Sequence, residues 1–232
     1  MILCGGLGTR LESISQGKPK ILMPINGKPF IEIQFNHLYK NGIRKFVYLL
    51  GHKSQEVNAA IENIKIHHKD ADIQIVFEGK NRLGTGGAVH LGSKHINDEL
   101  FLVTYGDNFL RLNYKDFEDK CKISSKSITM TLYKNKNFIE NSNIEFDEIN
   151  QKILKYSKNY SHKMEYIDFG IICFSKKIFE NNSNQKPYDL KQHIKDAIKT
   201  EDIDSYIVDD RFYEIGTPES YKEFCEFYRC YV

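Results

Sequence analysis

The first chemistry this chain offers is a run of closely spaced glycines behind a very short apolar start: Cys4-Gly5-Gly6-Leu7-Gly8-Thr9-Arg10-Leu11. Glycines that follow a first strand let backbone N–H groups approach a phosphate or a base closely. The spacing is not a dinucleotide-binding fingerprint, because Leu11 stands where a third glycine belongs. It is not a Walker A loop either, since Thr9-Arg10 replaces Lys-Ser/Thr. Taken alone, the loop suits a tight structural turn equally well. Arg10 adds a permanent cation whose fork matches phosphate oxygens. Lys20 follows between Pro19 and Pro24, which stiffen the segment as a lysine held at a fixed place requires. Gly106-Asp107 falls at the carboxyl end of the apolar run Leu100–Thr104, where open α/β sheets place ligands. A carboxylate there can hold Mg²⁺ beside substrate phosphates, or cap the next helix.

These residues must be carried by a globular scaffold. The chain has 232 residues, 41% apolar and 28% charged, with 33 Lys+Arg against 31 Asp+Glu and a formal net charge of +2. That composition excludes disordered, collagenous and coiled-coil classes. No basic run interleaved with aromatics suggests a nucleic-acid partner, and no apolar run is long enough for a membrane span. Met1–Cys4 runs straight into glycines rather than into the apolar core of a signal peptide. Five cysteines (Cys4, Cys121, Cys173, Cys225, Cys230) form no C-x-x-C pair, so free thiols in the cytoplasm are expected. His67-His68 has no metal partner at ligand spacing and reads as a solvated loop. Asp70-Ala-Asp72 precedes its strand and reads as a surface turn.

The elements that position the candidate residues alternate in the first half. Lys45–Leu50, Asp72–Phe77 and Leu100–Thr104 are predicted buried strands. Ile31, Gln34, Phe35 and Leu38 form a helical stripe stopped by Asn41-Gly42. Ser54 is placed to cap a helix carrying Val57, Ile61 and Ile64, and Gly87–Lys94 is a short third helix. In the second half, Ser127–Tyr133, Ile144–Asp147 and Ile153–Tyr156 read as a small β insertion. Ile167–Phe174 follows as a strand, and helices at Asp189–Thr200 and Pro218–Tyr228 flank a strand at Ile203–Val208. The expected fold is α/β: a Rossmann-like mixed, mainly parallel sheet flanked by helices, in one domain over 1–232. Phe224, Phe227, Tyr228 and Tyr231 suit either an interface or a docked C-terminal helix.

The pattern G-x-G-T-R-(x)8-P-K resembles the sugar-1-phosphate nucleotidylyltransferases, and three further segments match in order. Leu83-Gly84-Thr85-Gly86-Gly87-Ala88 is similar to their base- and ribose-contacting turn, Tyr105-Gly106-Asp107 to their metal-binding Gly-Asp, and Tyr213-Glu214-Ile215-Gly216-Thr217-Pro218 to their late Asp-Ile-Gly-Thr-Pro segment. The resemblance implies transfer of a nucleotidyl group to a sugar 1-phosphate with release of pyrophosphate, on the nucleotide-diphospho-sugar transferase fold. It implies nucleotide binding by Leu3, Gly5, Gly6, Gly8, Thr9, Arg10, Lys20, Glu78, Gly84 and Thr85, with Arg10, Lys20 and Asp107 catalytic. Mg²⁺ is expected on Asp107 and Glu214, although Glu214 departs from the family's usual Asp; Asp209 and Asp210 rank below it.

At the sugar end the resemblance implies Gly106, Lys158, Lys163, Tyr166, Asp168 and Gly170, with Asp168 standing where the family has Asn; in this Lys-rich stretch Lys158 and Lys163 suit ordinary surface positions equally well. Asp accepts hydrogen bonds from hydroxyls but cannot donate as Asn does. Glu78 stands where relatives use Gln to read a pyrimidine. An ionised Glu accepts only, which suits the N1–H and 2-amino donors of guanine. The short chain and the Gly84–Ala88 turn are most similar to the branch that makes GDP-D-glycero-α-D-manno-heptose for surface polysaccharides. GTP is therefore the favoured nucleotide, and transfer of uridylyl, thymidylyl or cytidylyl groups is the alternative. A nucleotide-sugar glycosyltransferase would show Asp-x-Asp after a strand, and a catalytically silent binding paralogue would lose the cations or carboxylates. No appended domain is expected, the first strand is expected to be trimmed by a few residues, and the expected assembly is a monomer or homodimer.

Overall fold

The apolar runs of the first half become parallel strands because each is followed by a helix that returns the chain, and β4, the most apolar of them, is buried on both faces. The structure is a computed structural model describing residues 1–6, 8–79, 82–136, 141–180 and 187–231. In chain order it holds β1 (Ile2–Leu3), α1 (Glu12–Ser15), β2 (Pro24–Ile25), β3 (Lys28–Pro29), α2 (Phe30–Lys40), β4 (Lys45–Leu50), α3 (Ser54–His67) and β5 (Asp72–Phe77). Next come α4 (Gly84–Ser93), β6 (Leu100–Tyr105), β7 (Asn108–Phe109), α5 (Tyr114–Ile123) and β8 (Ile128–Lys134). The remainder is β9 (Ile144–Asp147), β10 (Lys152–Tyr156), β11 (Tyr166–Ser175), α6 (Lys177–Glu180), α7 (Lys191–Lys199), β12 (Ile203–Val208), β13 (Tyr213–Glu214) and α8 (Pro218–Tyr231). The sheet is mixed and mainly parallel, flanked by helices, as expected. No helix among the described residues is long and apolar enough to cross a membrane.

The chain divides into two compact units. The first comprises Met1–Arg82, Thr104–Phe109 and Phe212–Val232. Here β1 lies between β4 and the end of β6, with Ile2 opposite both Tyr48 and Thr104. Two residues suffice for a strand that is paired on both sides. All six residues of β5 pair in register with β4. Phe30, Ile31 and Phe35 of α2 are fully buried, and Phe224 of α8 sits between Phe30 and Phe109 at ring distances of 5.3 and 5.2 Å. The C-terminal aromatics are thus those of a docked helix. Ser54 does not cap α3: it is the first helical residue, and Lys53 precedes it at φ +53° with no side-chain cap. Lys53 takes that left-handed turn while its ammonium bonds the Gly17 carbonyl.

The second unit comprises Leu83–Val103 and Leu110–Arg211. Its long central strand β11 pairs antiparallel with β8, with a bulge between Asp168 and Ile172, and β12 runs parallel to β8. The predicted β insertion is a continuation of the sheet rather than a separate flap, since β9 pairs with both β11 and β10. α5 was not anticipated. Its stripe of Tyr114, Phe117 and Cys121 is buried, and Asn113 caps it by accepting from the Asp116 N–H at 3.2 Å. α4 begins three residues earlier than expected, at Gly84.

Candidate active site

In the first unit, four separated stretches converge on one constellation. Pro19 holds an extended backbone, and Lys20 then opens a single turn of 3-10 helix whose Ile21 is buried. This fixes the stem of Lys20 along the glycine loop: a Cβ on Gly6 would lie 3.6 Å from its Cε, and one on Gly8 3.7 Å from its Cβ. The ammonium of Lys20 pairs with the carboxylate of Asp107, and both side chains are largely shielded, 22% and 11% exposed. Gly8, at φ +68°, takes a backbone conformation that favours glycine. Leu7 lies outside the described residues. Arg10 and Thr9 sit on the exposed turn that follows.

Asp107 is fixed from both sides. The buried Gln34 amide of α2 donates to the carbonyls of Tyr105 at 2.9 Å and Asn108 at 2.7 Å, clamping the residues around Gly106-Asp107. Gly106 donates to the Leu3 carbonyl at 2.9 Å, and any Cβ there would strike Cys4 Sγ, Ile21 Cδ1 and Leu3 O at 2.9 to 3.0 Å. Cys4 is packing: burial, reinforced by the Asp107 charge, pushes its thiol far up from its ordinary value. The β7–β13 ribbon sets Glu214 opposite Asn108, and the Ile215 N–H donates to the Asp107 carbonyl at 3.0 Å. Residues more than a hundred positions apart thereby bring two carboxylates to one end of the unit. The Glu214 carboxylate folds into a cradle that a Cβ on Gly216 would fill, 2.4 Å from Oε2. Two carboxylates fit a hard divalent ion that completes its shell with phosphate oxygens and water. Among the described residues, no group of three or more His, Cys, Asp or Glu gathers for a metal.

Glu78 belongs to the same unit. Its carboxylate lies against the start of the glycine loop, where a Cβ on Gly5 would fall 2.3 Å from Oε1, and Gly51 backs the same place. Asp210, ranked below Glu214 from the sequence, pairs instead with Arg111 at 3.5 Å in the second unit.

The other predicted residues lie in the second unit. Gly84, at φ +72°, and Gly86 leave room for Tyr188: a Cβ would meet its carbonyl oxygen at 2.4 Å or its ring at 2.2 Å. The hydroxyl of Thr85 donates to Asp189 Oδ1 at 3.1 Å and accepts from the Leu190 N–H at 2.9 Å. This turn therefore anchors the start of α7, a role its glycine-rich spelling did not disclose. Asp168 accepts from the Tyr156 hydroxyl at 2.8 Å and the Gly170 N–H at 3.0 Å, with Gly170 at φ +102° in the bulge of β11. Burial pushes the Asp168 carboxyl up from its ordinary value, against the pull of those two donors and of Lys191. The Tyr166 hydroxyl is held by Glu148 at 2.6 Å.

Lys158 lines a cavity of about 390 Å³ with Tyr156, Tyr188, Lys191, Gln192 and Lys195, whereas Lys163 is exposed outside that lining. Lys191, Lys195 and Tyr188 were missed by the sequence reading. The available signal was a lysine and no acid in the first turn of a helix, with a second lysine one turn on, against the usual preference.

The family described as Nucleotidyl transferase matches residues 1–229. The chain is 31% identical over 227 residues, 97% of each sequence, to the D-glycero-alpha-D-manno-heptose 1-phosphate guanylyltransferase of Campylobacter jejuni. It is 26% identical to the protein of that name from Aneurinibacillus thermoaerophilus, over 96% of this chain and 95% of the relative. The crystal structure of HddC from Yersinia pseudotuberculosis complexed with GMP-PN superposes with a TM-score of 0.82 at 26% identity, covering 98% of this chain and 97% of that one. The chain belongs to the nucleotidyl transferase family.

Proposed function

We propose that the chain transfers a nucleotidyl group from a nucleoside triphosphate to a sugar 1-phosphate, releasing pyrophosphate and an NDP-sugar. The observation that carries this reading is Lys20, paired with Asp107 and laid along Gly6 and Gly8, in a chain of this family. A phosphate oxygen of the sugar 1-phosphate attacks the α-phosphorus in line. As that bond forms, the bond from the α-phosphorus to the β-phosphate oxygen breaks, and pyrophosphate leaves with the electron pair. Two polyanions must meet, so positioning and charge neutralisation supply most of the catalysis. Lys20 and Arg10 hold the triphosphate, and Leu3, Gly5, Gly6, Gly8 and Thr9 of the glycine loop bind the nucleotide beside them. Lys158, Lys163, Tyr166, Asp168 and Gly170 receive the sugar phosphate. Asp107 and Glu214 would hold a divalent ion, taken as Mg²⁺; when bound, such an ion supplies positive charge to phosphate oxygens.

GTP and D-glycero-α-D-manno-heptose 1-phosphate are the proposed substrates, with the GDP-sugar serving surface polysaccharide synthesis. Support comes from the acceptor-only carboxylate of Glu78 against Gly5 and from the two relatives that carry a guanylyltransferase name. Residues 1–232 are taken as one catalytic domain, cytoplasmic, a monomer or homodimer, with no nucleic-acid or membrane partner. The test is pyrophosphate release with GTP, UTP, dTTP and CTP over a panel of sugar 1-phosphates. GTP with the manno-heptose is expected to lead in kcat/KM by at least about 10-fold. A pyrimidine preference would move the assignment to a uridylyl, thymidylyl or cytidylyl transferase. Binding without release would identify a silent nucleotide-binding paralogue.

A further inference from the structure

The cavity of the second unit has a charge imbalance that the roles already assigned leave unused. Lys158 comes from just past the end of β10, and Lys191 and Lys195 from the first two turns of α7. Among the described residues, no carboxylate lies within ion-pair distance of any of the three lysines. Asp189, the one acid in the lining, accepts from the Thr85 hydroxyl at 3.1 Å and from the Lys191 N–H at 3.0 Å. Asp189 in the lining and Asp168 behind it only partly offset the three lysines, which leaves an excess of positive charge suited to a phosphomonoester dianion. The position of Lys191 is itself costly, because the first turn of a helix is the positive end of its dipole and favours anions. Burial, with the nearby Lys158 charge, holds the Lys191 ammonium below its ordinary value. The side chain is nevertheless set in place: its ammonium lies 5.0 Å from the centre of the Tyr156 ring, and Thr85 pins the start of its helix.

We propose that Lys191 is a binding and specificity-determining residue, which with Lys158 and Lys195 seats the phosphate of the sugar acceptor in this cavity. The proposal rests on the functional reading above and adds to it a residue that no motif names. A phosphate between the lysines relieves their mutual repulsion and the unfavourable charge at the helix start together, so acceptors without a dianionic group are discriminated against.

The test uses the full-length chain with Lys191→Met, Lys191→Arg and, as a control on the far end of α7, Lys199→Gln. Pyrophosphate release is expected to give an acceptor KM raised about 10-fold or more in Lys191→Met, partly restored in Lys191→Arg and unchanged in Lys199→Gln. The KM for the nucleoside triphosphate should stay within about twofold. Calorimetric titration with inorganic phosphate gives a readout independent of turnover: the wild type binds it in competition with the acceptor, and Lys191→Met does not. An unchanged acceptor KM in folded Lys191→Met overturns the proposal. Loss of phosphate binding with an unchanged acceptor KM also overturns it, by assigning the cavity to a separate anion. Should no sugar 1-phosphate be turned over by the wild type, the functional reading fails, and equal phosphate binding by wild type and Lys191→Met then removes the site as well.

Discussion

Lys20 and Asp107 neutralise one another in a largely shielded place, so the ammonium is oriented before any substrate arrives and little rotamer freedom remains to be lost on binding. Asp107→Asn keeps the shape and one acceptor oxygen but removes the charge. Pyrophosphate release should fall by about 10²–10³-fold with an unchanged circular dichroism spectrum. Near-normal turnover would show that the carboxylate is structural. Asp168 makes a prediction of opposite kind. Its folded carboxyl is raised by burial, so the folded chain binds that proton more tightly than the unfolded chain does. The stability this lends is full below the ordinary carboxylate range and is lost as pH rises through the folded value. Asp168→Asn should therefore melt higher than the wild type at about pH 8, and the gap should narrow towards about pH 4. A gap that widens on acidification would mean the charged carboxylate is favoured by its donors. The cations and Asp107 were legible in the sequence because flanking prolines, glycines and the end of an apolar strand mark them. Lys191 was not, because a lysine in a lysine-rich stretch signals nothing until the helix start beneath it is known.

At the scale of elements, the turn from Leu83 to Gly87 and the start of α7 form one built piece. Gly84 takes a left-handed φ with the Tyr188 carbonyl pressed against its open face, so Gly84→Ala incurs both backbone strain and overpacking. The expected loss is about 2–6 kcal/mol in urea unfolding, from about 1–3 for each cause. An effect below about 1 kcal/mol would mean that Tyr188 yields easily. Thr85→Val should cost about 1 kcal/mol by removing the acceptor for Leu190 and the donor to Asp189. Strands β4, β5, β9 and β12 were read to the residue, since apolar runs bounded by turn residues report themselves. α5 is not legible from the sequence, because the stripe of Tyr114, Phe117 and Cys121 spans barely two turns and is interrupted by charged residues. The β7–β13 ribbon could not be read at all: two-residue strands more than a hundred positions apart carry no local pattern.

For the whole molecule, the first unit is assembled from three stretches and the second from two, so neither corresponds to a continuous length of sequence. Ligand binding to the folded form is the measurement suited to this scale. GTP with a divalent ion at about 100 times its dissociation constant should stabilise the chain by about 2.7 kcal/mol. For a chain of this length that is a rise in melting temperature of roughly 5–10 °C. CTP and UTP at the same concentration should give clearly less, and an equal rise with all three nucleotides would remove Glu78 as a base reader. The α/β class, most of the strands, the glycine loop, the two cations and the family are legible along the chain, because these depend on local spacing and on burial patterns within one element. The three-dimensional packing is what makes Lys20 meet Asp107, lets Gly84 to Gly86 receive Tyr188, and brings Glu214 opposite Asn108, next to Asp107. It also gathers Lys158, Lys191 and Lys195 around one cavity. Each of those depends on which distant segments are brought together, and short-range residue patterns do not encode such pairings.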